Sequence, residues 1–291
     1  MKKILVIGIK GMAGHVIFRY LSKNKNYHAF GIARNIAEND REISLDVSNT
    51  DKLKEIIINH NFDTVINCIG ILNKDAEDHP SKAIWFNSYF PHFLEEITKD
   101  LKTNIIHIST DCVFNGKKGN YAENDFKDGE GFYAQSKALG EIINDKDLTI
   151  RTSIIGPELN QNGIGLFHWF MNQTGEINGY TSAYWSGVTT LELAKAIEYA
   201  IENPAKGLVH LTNGIAINKF DLINLFKEVW KKDQTIILPY EGKKVDKSLQ
   251  KSKTFEFQVP SYRSMLEEQR QWMTENNSLY NIYDINSYRI L

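Results

Sequence analysis

Cysteine is scarce in this chain: Cys68 and Cys112 are the only two among 291 residues. They form no CxxC pair and fall within or beside apolar runs, which argues against a secreted disulfide framework and for buried thiols in a reducing compartment. Proline is sparse too, with six residues. Neither sign of charge is in excess. Lys and Arg number 34 against 36 Asp and Glu, a formal charge of -2. That balance argues against extensive nucleic-acid wrapping and still allows a local phosphate site. No apolar run approaches the roughly 20 residues that a membrane-spanning helix needs. Met1-Lys2-Lys3 leads into a short apolar stretch and then a glycine turn, so it reads as a first strand rather than an export signal. A cytoplasmic location is the resulting expectation, with no nucleic-acid or membrane partner. The eight histidines include no HExxH arrangement, and no metal site is read.

What is present is an alternation of short apolar runs with amphipathic ones. Strands are expected at Ile4–Ile9, His28–Ala33, Ile43–Val47, Thr64–Gly70, Asn104–Thr110 and Leu148–Ile155. Between them lie helical patterns, among them Leu53–His60, residues 82–99 and Tyr133–Asp145. Continuous rather than alternating apolar strands indicate a parallel sheet covered on both faces. The fold class expected is therefore α/β, a Rossmann-type parallel sheet with helices on both faces and a smaller C-terminal substrate-binding lobe. Residues 1–155 hold the sheet, while residues 156–291 form mainly the lobe, with some elements returning to the core. Later helices are expected at Thr190–Glu202, Asn218–Lys231 and Ser264–Met273, and a strand at Leu208–Asn213. The segment from Lys243 to Phe257 reads as polar and surface-facing. Residues 274–291 carry three tyrosines in a polar setting and show no period.

Gly8, Gly11 and Gly14 give GxxGxxG between the first strand and the first helix. Glycines there let backbone amides approach a pyrophosphate at a helix N-terminus. The second strand ends in Arg34 where a plain NAD site places an acid, and a guanidinium suits a 2'-phosphate, which favours NADP(H). Lys10 could add a second cation or simply be solvated. Asp46 could accept from an adenine amino group or cap the following helix. Tyr133 and Lys137 stand four apart on one helix face, where an ammonium makes a phenol a workable proton donor. Thr110 ends the fifth strand at the carboxyl edge of the sheet, where ligands dock in this topology. Ser109 should point to the other face, and Asp111 reads as a cap or as an anchor behind the site. Arg151 could meet a phosphate or form a buried ion pair. Trp169, Tyr180, Tyr184 and Trp185 could shape a pocket or pack in the core.

GIKGMAG, NCIG, STDCVFNG, YAQSK and RTSIIGP, in that order, resemble the extended short-chain dehydrogenase/reductase family, in particular its dTDP-4-dehydrorhamnose reductase group, over roughly residues 1–273. The resemblance implies catalytic roles for Thr110, Tyr133 and Lys137. It also implies cofactor contacts from Gly8, Lys10, Gly11, Met12 and Gly14 in the turn, from Arg34, from Asp46 with Val47, and from the Cys68, Ile69 and Gly70 loop. Tyr133 and Lys137 share in cofactor binding, and Asn87 supports the site behind the fourth strand. The implied activity is NADPH-dependent reduction, NADH being the other option, of the 4-keto group of a deoxyhexose on a nucleoside diphosphate. A homodimer is compatible with the group, some of whose members use magnesium at a dimer contact, but no ligand set for it carries over. The chain departs from the group at Ile154, where an aromatic residue usually follows RTS. Its ending, VPSYRSMLEEQRQWM, is similar to reductases of N-acetylated deoxyhexose pathways for surface polysaccharide. The alternatives are an epimerase or dehydratase of the same fold and a non-catalytic NADP-binding regulatory subunit.

Overall fold

The structure is a computed structural model and describes residues 1–283. Strand β1 (Lys2–Ile7) ends where Gly8 turns the chain into helix α1 (Met12–Lys23). Then come β2 (Tyr27–Ala33), β3 (Glu42–Ser44) and α2 (Thr50–His60), which is capped by the Asn49 side chain accepting the Lys52 N–H. β4 (Thr64–Asn67) stops short of its expected end and leaves Cys68–Gly70 as a loop. α3 (Asn73–Asp78) is followed by α4 (Pro80–Ala83), a π-helical turn (Ile84–Tyr89) and α5 (Phe90–Thr98). β5 (Asn104–Thr110), α6 (Gly131–Leu139) and β6 (Leu148–Thr152) continue the alternation.

Helix α6 is shorter than its sequence pattern. At Gly140 a Cβ would lie 1.8 Å from the Asn87 carbonyl oxygen, so the chain is pressed against the π turn and leaves the helix there. The strand expected at Leu148–Ile155 breaks at Ser153. β7 (Ile154–Ile155) leaves the main sheet, and α7 (Leu166–Met171), β8 (Gly175–Tyr180), β9 (Ala183–Trp185) and β10 (Val188–Thr189) lead to α8 (Thr190–Glu202). Next are β11 (Gly207–His210), β12 (Ile217–Asn218), α9 (Lys219–Trp230), β13 (Thr235–Tyr240), β14 (Val245–Asp246) and α10 (Tyr262–Glu275).

Seven parallel strands form the main sheet in the order β3-β2-β1-β4-β5-β6-β11. This is the doubly wound Rossmann arrangement, extended by β11 from the C-terminal half. Neighbours along β1 serve opposite faces: Ile4 and Val6 pack with Val16, Leu21 and Ile197, while Leu5 and Ile7 pack with Leu53, Ile57 and Leu94. Small sheets lie apart from the main one: β7 with β10, β8 with β13, and β12-β9-β14.

The polar segment after Lys243 is not wholly at the surface. Leu249 is buried with Val113, Phe114 and Tyr121, and Phe255 packs beside Tyr199. Its apolar residues are isolated in sequence but meet distant partners, a pattern local periodicity does not register. The last described residues also pack inward. Tyr280 Oη accepts the Trp272 Nε1–H at 3.0 Å and lies 3.0 Å from His15 Nε2, while His15 Nδ1 faces the Gly11 carbonyl at 2.9 Å. Tyr283 Oη accepts the Glu158 N–H at 2.9 Å and meets His168 Nδ1 at 2.8 Å. The rest of the lobe range and of the tyrosine-bearing end, 284–291, falls outside the described residues.

Candidate active site

Gly8 has a φ of +96°, a conformation L side chains rarely adopt, and a Cβ on Gly14 would lie 2.2 Å from the Gly8 carbonyl oxygen. Strand and helix can approach this closely only with glycine at both positions. The N-cap of α1, Gly11, offers no side-chain cap, so backbone amides of the first turn face outward at the positive end of the helix. A cleft of about 420 Å³ opens beside this turn, lined by Gly8, Lys10, Gly11, Arg34, Asp46, Val47 and the Cys68–Gly70 loop. Met12 and Gly14 stand behind the turn rather than on the cleft wall, in the first residues of α1.

Arg34 and Asp46 meet across the outer end of the cleft, Nη1 to Oδ2 at 3.5 Å. Asp46 also accepts the Ser48 N–H; that bond first, then the Ser48 hydroxyl and Arg34, hold its carboxyl below the usual range against its partial burial. Asp46 does not cap α2, because Asn49 does. Arg34 thus has an acid beside it, although β2 itself ends without one. The Lys10 amine reaches the Arg34 and Asn35 carbonyls at 3.4 and 3.5 Å, over the end of β2. At the inner end, Asn87 in the π turn accepts the Ile71 N–H at 2.8 Å and donates to the Ile71 carbonyl and the Ser136 hydroxyl at 2.9 and 3.0 Å. It fastens the loop after β4 to the helix that carries Tyr133.

Thr110, Tyr133 and Lys137 converge at the carboxyl end of β5. The Lys137 amine, buried, donates to the Ile108 carbonyl at 2.7 Å and faces His107 Nε2 at 3.3 Å. Burial pulls it down to about 8, against the attraction of Glu141. Burial pushes the Tyr133 phenol well above its ordinary value, the charges of Cys112 and Asp111 act in the same direction, and the Thr110 hydroxyl that partners it acts against them. Thr110 Oγ1 also accepts the Cys112 N–H at 3.1 Å and lies 3.2 Å from Asp111 Oδ1. So Thr110, not Asp111, caps the short 3-10 turn (Asp111–Val113), and Asp111 is the buried anchor behind it, its carboxyl raised by that burial. Ser109 points away, as strand alternation requires, and donates to Glu141 at 2.7 Å.

Arg151 is not available for a phosphate. It is buried, forms a two-pronged pair with Glu141 at 2.8 and 2.7 Å, and lies over the Phe114 ring. Trp185 is a core residue whose Nε1–H donates to the Ser153 hydroxyl at 2.6 Å, whereas Trp169, Tyr180 and Tyr184 are exposed. Glu77 was not visible as a site residue. Its carboxylate accepts the Phe132 and Tyr133 N–H groups, each at 3.1 Å, and so caps α6 from α3. The only local hint is that Glu130, at the N-cap position, makes no side-chain cap bond of its own.

The RmlD substrate binding domain profile matches residues 1–284. The chain belongs to this family. Among curated proteins the RmlD-family chain is similar to a dTDP-4-dehydrorhamnose reductase of Aggregatibacter actinomycetemcomitans, 30% identical over 168 residues. That alignment covers 56% of this chain and 54% of the relative, so the chain spans about half of that protein's length. Among solved structures, a hypothetical dTDP-4-dehydrorhamnose reductase from Sulfolobus tokodaii has a TM-score of 0.75 at 26% identity, over 90% of this chain and 98% of the other. A dTDP-4-dehydrorhamnose reductase from Bacillus anthracis str. Ames, solved in complex with NADP, has a TM-score of 0.76 at 19% identity, over 92% and 98%. The RmlD-family fold is thus shared along nearly the whole described chain. Among the described residues, no helix is long and apolar enough to cross a membrane.

Proposed function

We propose that this chain is an NADPH-dependent reductase of a 4-keto-deoxyhexose carried on a nucleoside diphosphate. The observation that carries the reading is the convergence of Thr110, Tyr133 and Lys137 on one strand end, beside the loop that lines the glycine-turn cleft. The cleft fits a dinucleotide. The Gly8–Gly14 contact has no room for a Cβ, the first turn of α1 is uncapped by side chains, and Arg34 and Lys10 supply positive charge at the outer end. The backbone of the turn would hold the pyrophosphate, Arg34 the 2'-phosphate, Asp46 and Val47 the adenine, and Lys137 the nicotinamide ribose. When bound, the reduced cofactor supplies hydride to the keto carbon.

Tyr133 then gives its proton to the carbonyl oxygen. Burial keeps the phenol protonated until that moment, so it enters the reaction as an acid. The Lys137 ammonium favours the phenolate left behind. Thr110, already placed by the Cys112 N–H, positions the carbonyl and stabilises its developing charge. Asn87 and Glu77 hold the frame: one ties the loop after β4 to α6, the other fixes the first turn of that helix. The exposed aromatics Trp169, Tyr180 and Tyr184 lie in the region after residue 156, which we assign to the sugar and base. Binding energy from the nucleotide then holds the ketone in place for reaction.

The test is NADPH consumption with product identification, using matched free and nucleotide-linked 4-keto-6-deoxy sugars. Turnover is expected with the linked ketone and negligible with the free one. Comparable efficiency on both would defeat the nucleotide-sugar assignment. Turnover of a nucleotide sugar with tightly held cofactor and no added nicotinamide would point instead to an epimerase or dehydratase.

A further inference from the structure

Behind the site runs a line of four polar groups, and backbone chemistry fixes their proton positions. The Ile69 N–H donates to Asn67 Oδ1 at 3.1 Å. A backbone N–H can only donate, so this bond settles which end of the Asn67 amide is oxygen. The amide nitrogen therefore faces His107 Nδ1, 3.2 Å away, as a donor. Nδ1 of the neutral ring must accept, which leaves the ring proton on Nε2, and Nε2 faces Lys137 Nζ at 3.3 Å. An ammonium there would oppose one donor with another. A neutral amine accepts the Nε2–H through its lone pair while still donating to the Ile108 carbonyl.

We propose that His107 is a positioning residue for Lys137: held by Asn67 as the Nε2–H tautomer, it donates to the lysine amine and sets the pH at which that amine takes up its proton. The proposal rests on the reading of Lys137 as the group that tunes the Tyr133 phenol. His107 and Lys137 are both buried, where a mismatch of two donors is costly. The other charged groups acting on the pair are His92, on α5, toward His107, and Glu141, just past α6, toward Lys137. Glu141 favours the ammonium, so His107 and Glu141 pull the lysine in opposite directions. Because the line begins at Ile69, in the loop that lines the cleft, a shift of that loop releases the Asn67 amide to flip. The flipped amide would favour a proton on Nδ1, turn Nε2 into an acceptor and favour the ammonium. Loop position and lysine charge are thereby coupled.

The test uses the full, cofactor-free chain. Nitrogen NMR of the histidine side chains reads the His107 tautomer, with its signals assigned by their loss in His107→Gln. Lysine side-chain NMR follows the Lys137 titration, assigned by its loss in Lys137→Met. The expected result is a neutral, Nε2-protonated His107 between about pH 6 and 9. In His107→Gln, whose amide oxygen can accept from the ammonium, the Lys137 midpoint is expected to rise by about one pH unit. A ring protonated on Nδ1 in the wild-type protein overturns the proposal, and that measurement stands even where the variant fails to fold. An unmoved or lowered midpoint in a folded His107→Gln also overturns it. Turnover separates the two readings. An alkaline limb of kcat that follows the NMR midpoint supports both. A midpoint that moves while the limb does not supports the His107 role and removes Lys137 from the chemistry.

Discussion

At the outer end of the cleft, Arg34 and Asp46 meet at 3.5 Å with side chains 66% and 45% exposed. Beyond the inner end, behind the Cys68–Gly70 loop, Lys137 and His107 are buried at 3.3 Å, and each is tied to a further partner. The first pair is screened by water and contributes roughly 0.2–1 kcal/mol, so either member can be changed alone. The second belongs to a network in which losing one partner strands another buried polar group, at a cost of roughly 1–3 kcal/mol. On the function proposed above, cofactor preference would sit where substitution is tolerated, and proton chemistry where it is not.

The sharpest way to break this contrast is at Tyr133. Tyr133→Phe removes one proton donor with little change in volume. Single-turnover rates are expected to fall by roughly 10² to 10⁴, with the melting temperature and cofactor affinity retained. Near-normal rates with chemistry limiting would remove Tyr133 from the mechanism.

A second measurement probes how strongly the inner end is desolvated. Lys137 titrates near 8 when folded, against 10.5 when unfolded, so between those values the unfolded chain holds the extra proton and stability rises with pH. Relative to Lys137→Met, the wild-type protein is expected to gain about 3 kcal/mol across that window and nothing below it. Denaturant unfolding of both proteins at a series of pH values checks this, and a flat difference would place the amine in water. The same variant is expected to weaken cofactor binding.

The outer end should give smaller and reversible effects. Arg34→Asp removes a charge-assisted contact worth roughly 1.5–3 kcal/mol, so the preference for NADPH over NADH should fall about 10- to 100-fold, with melting unchanged. Asp46→Asn releases Arg34 from its present partner and should raise that preference by no more than about fivefold. Ratios of kcat/KM for the two cofactors measure both. Equal ratios in the unaltered protein would leave Arg34 without its assigned role.

Much of the fold was legible because parallel strands buried on both faces announce themselves as continuous apolar runs. Thr190–Glu202, with its Thr189 cap, matches its sequence pattern end to end. The glycine turn and the Tyr133–Lys137 spacing were legible because both are local. What escaped depends on partners far away in sequence. Glu77 caps a helix 55 residues later, and Asp46 meets Arg34 only because the neighbouring strands β2 and β3 end side by side. His107 looked like one more residue of a buried strand, and its significance lies in the proton order fixed by Asn67. Helix α6 ends early because Gly140 meets Asn87, a contact that helix propensity within 133–145 does not foresee.

The inward-turned tyrosines at the far end of the chain bear on how the molecule assembles. Tyr280 reaches His15 across 265 positions, and Tyr283 reaches His168 across 115. His15 stands in the first helix, and its other ring nitrogen serves the Gly11 carbonyl of the glycine turn. That turn therefore belongs to a closure of 265 positions, and long closures are entropically costly and kinetically late. The glycine turn is therefore consolidated only once a residue 265 positions downstream has docked, so a local sequence motif depends on a distant contact for its final packing.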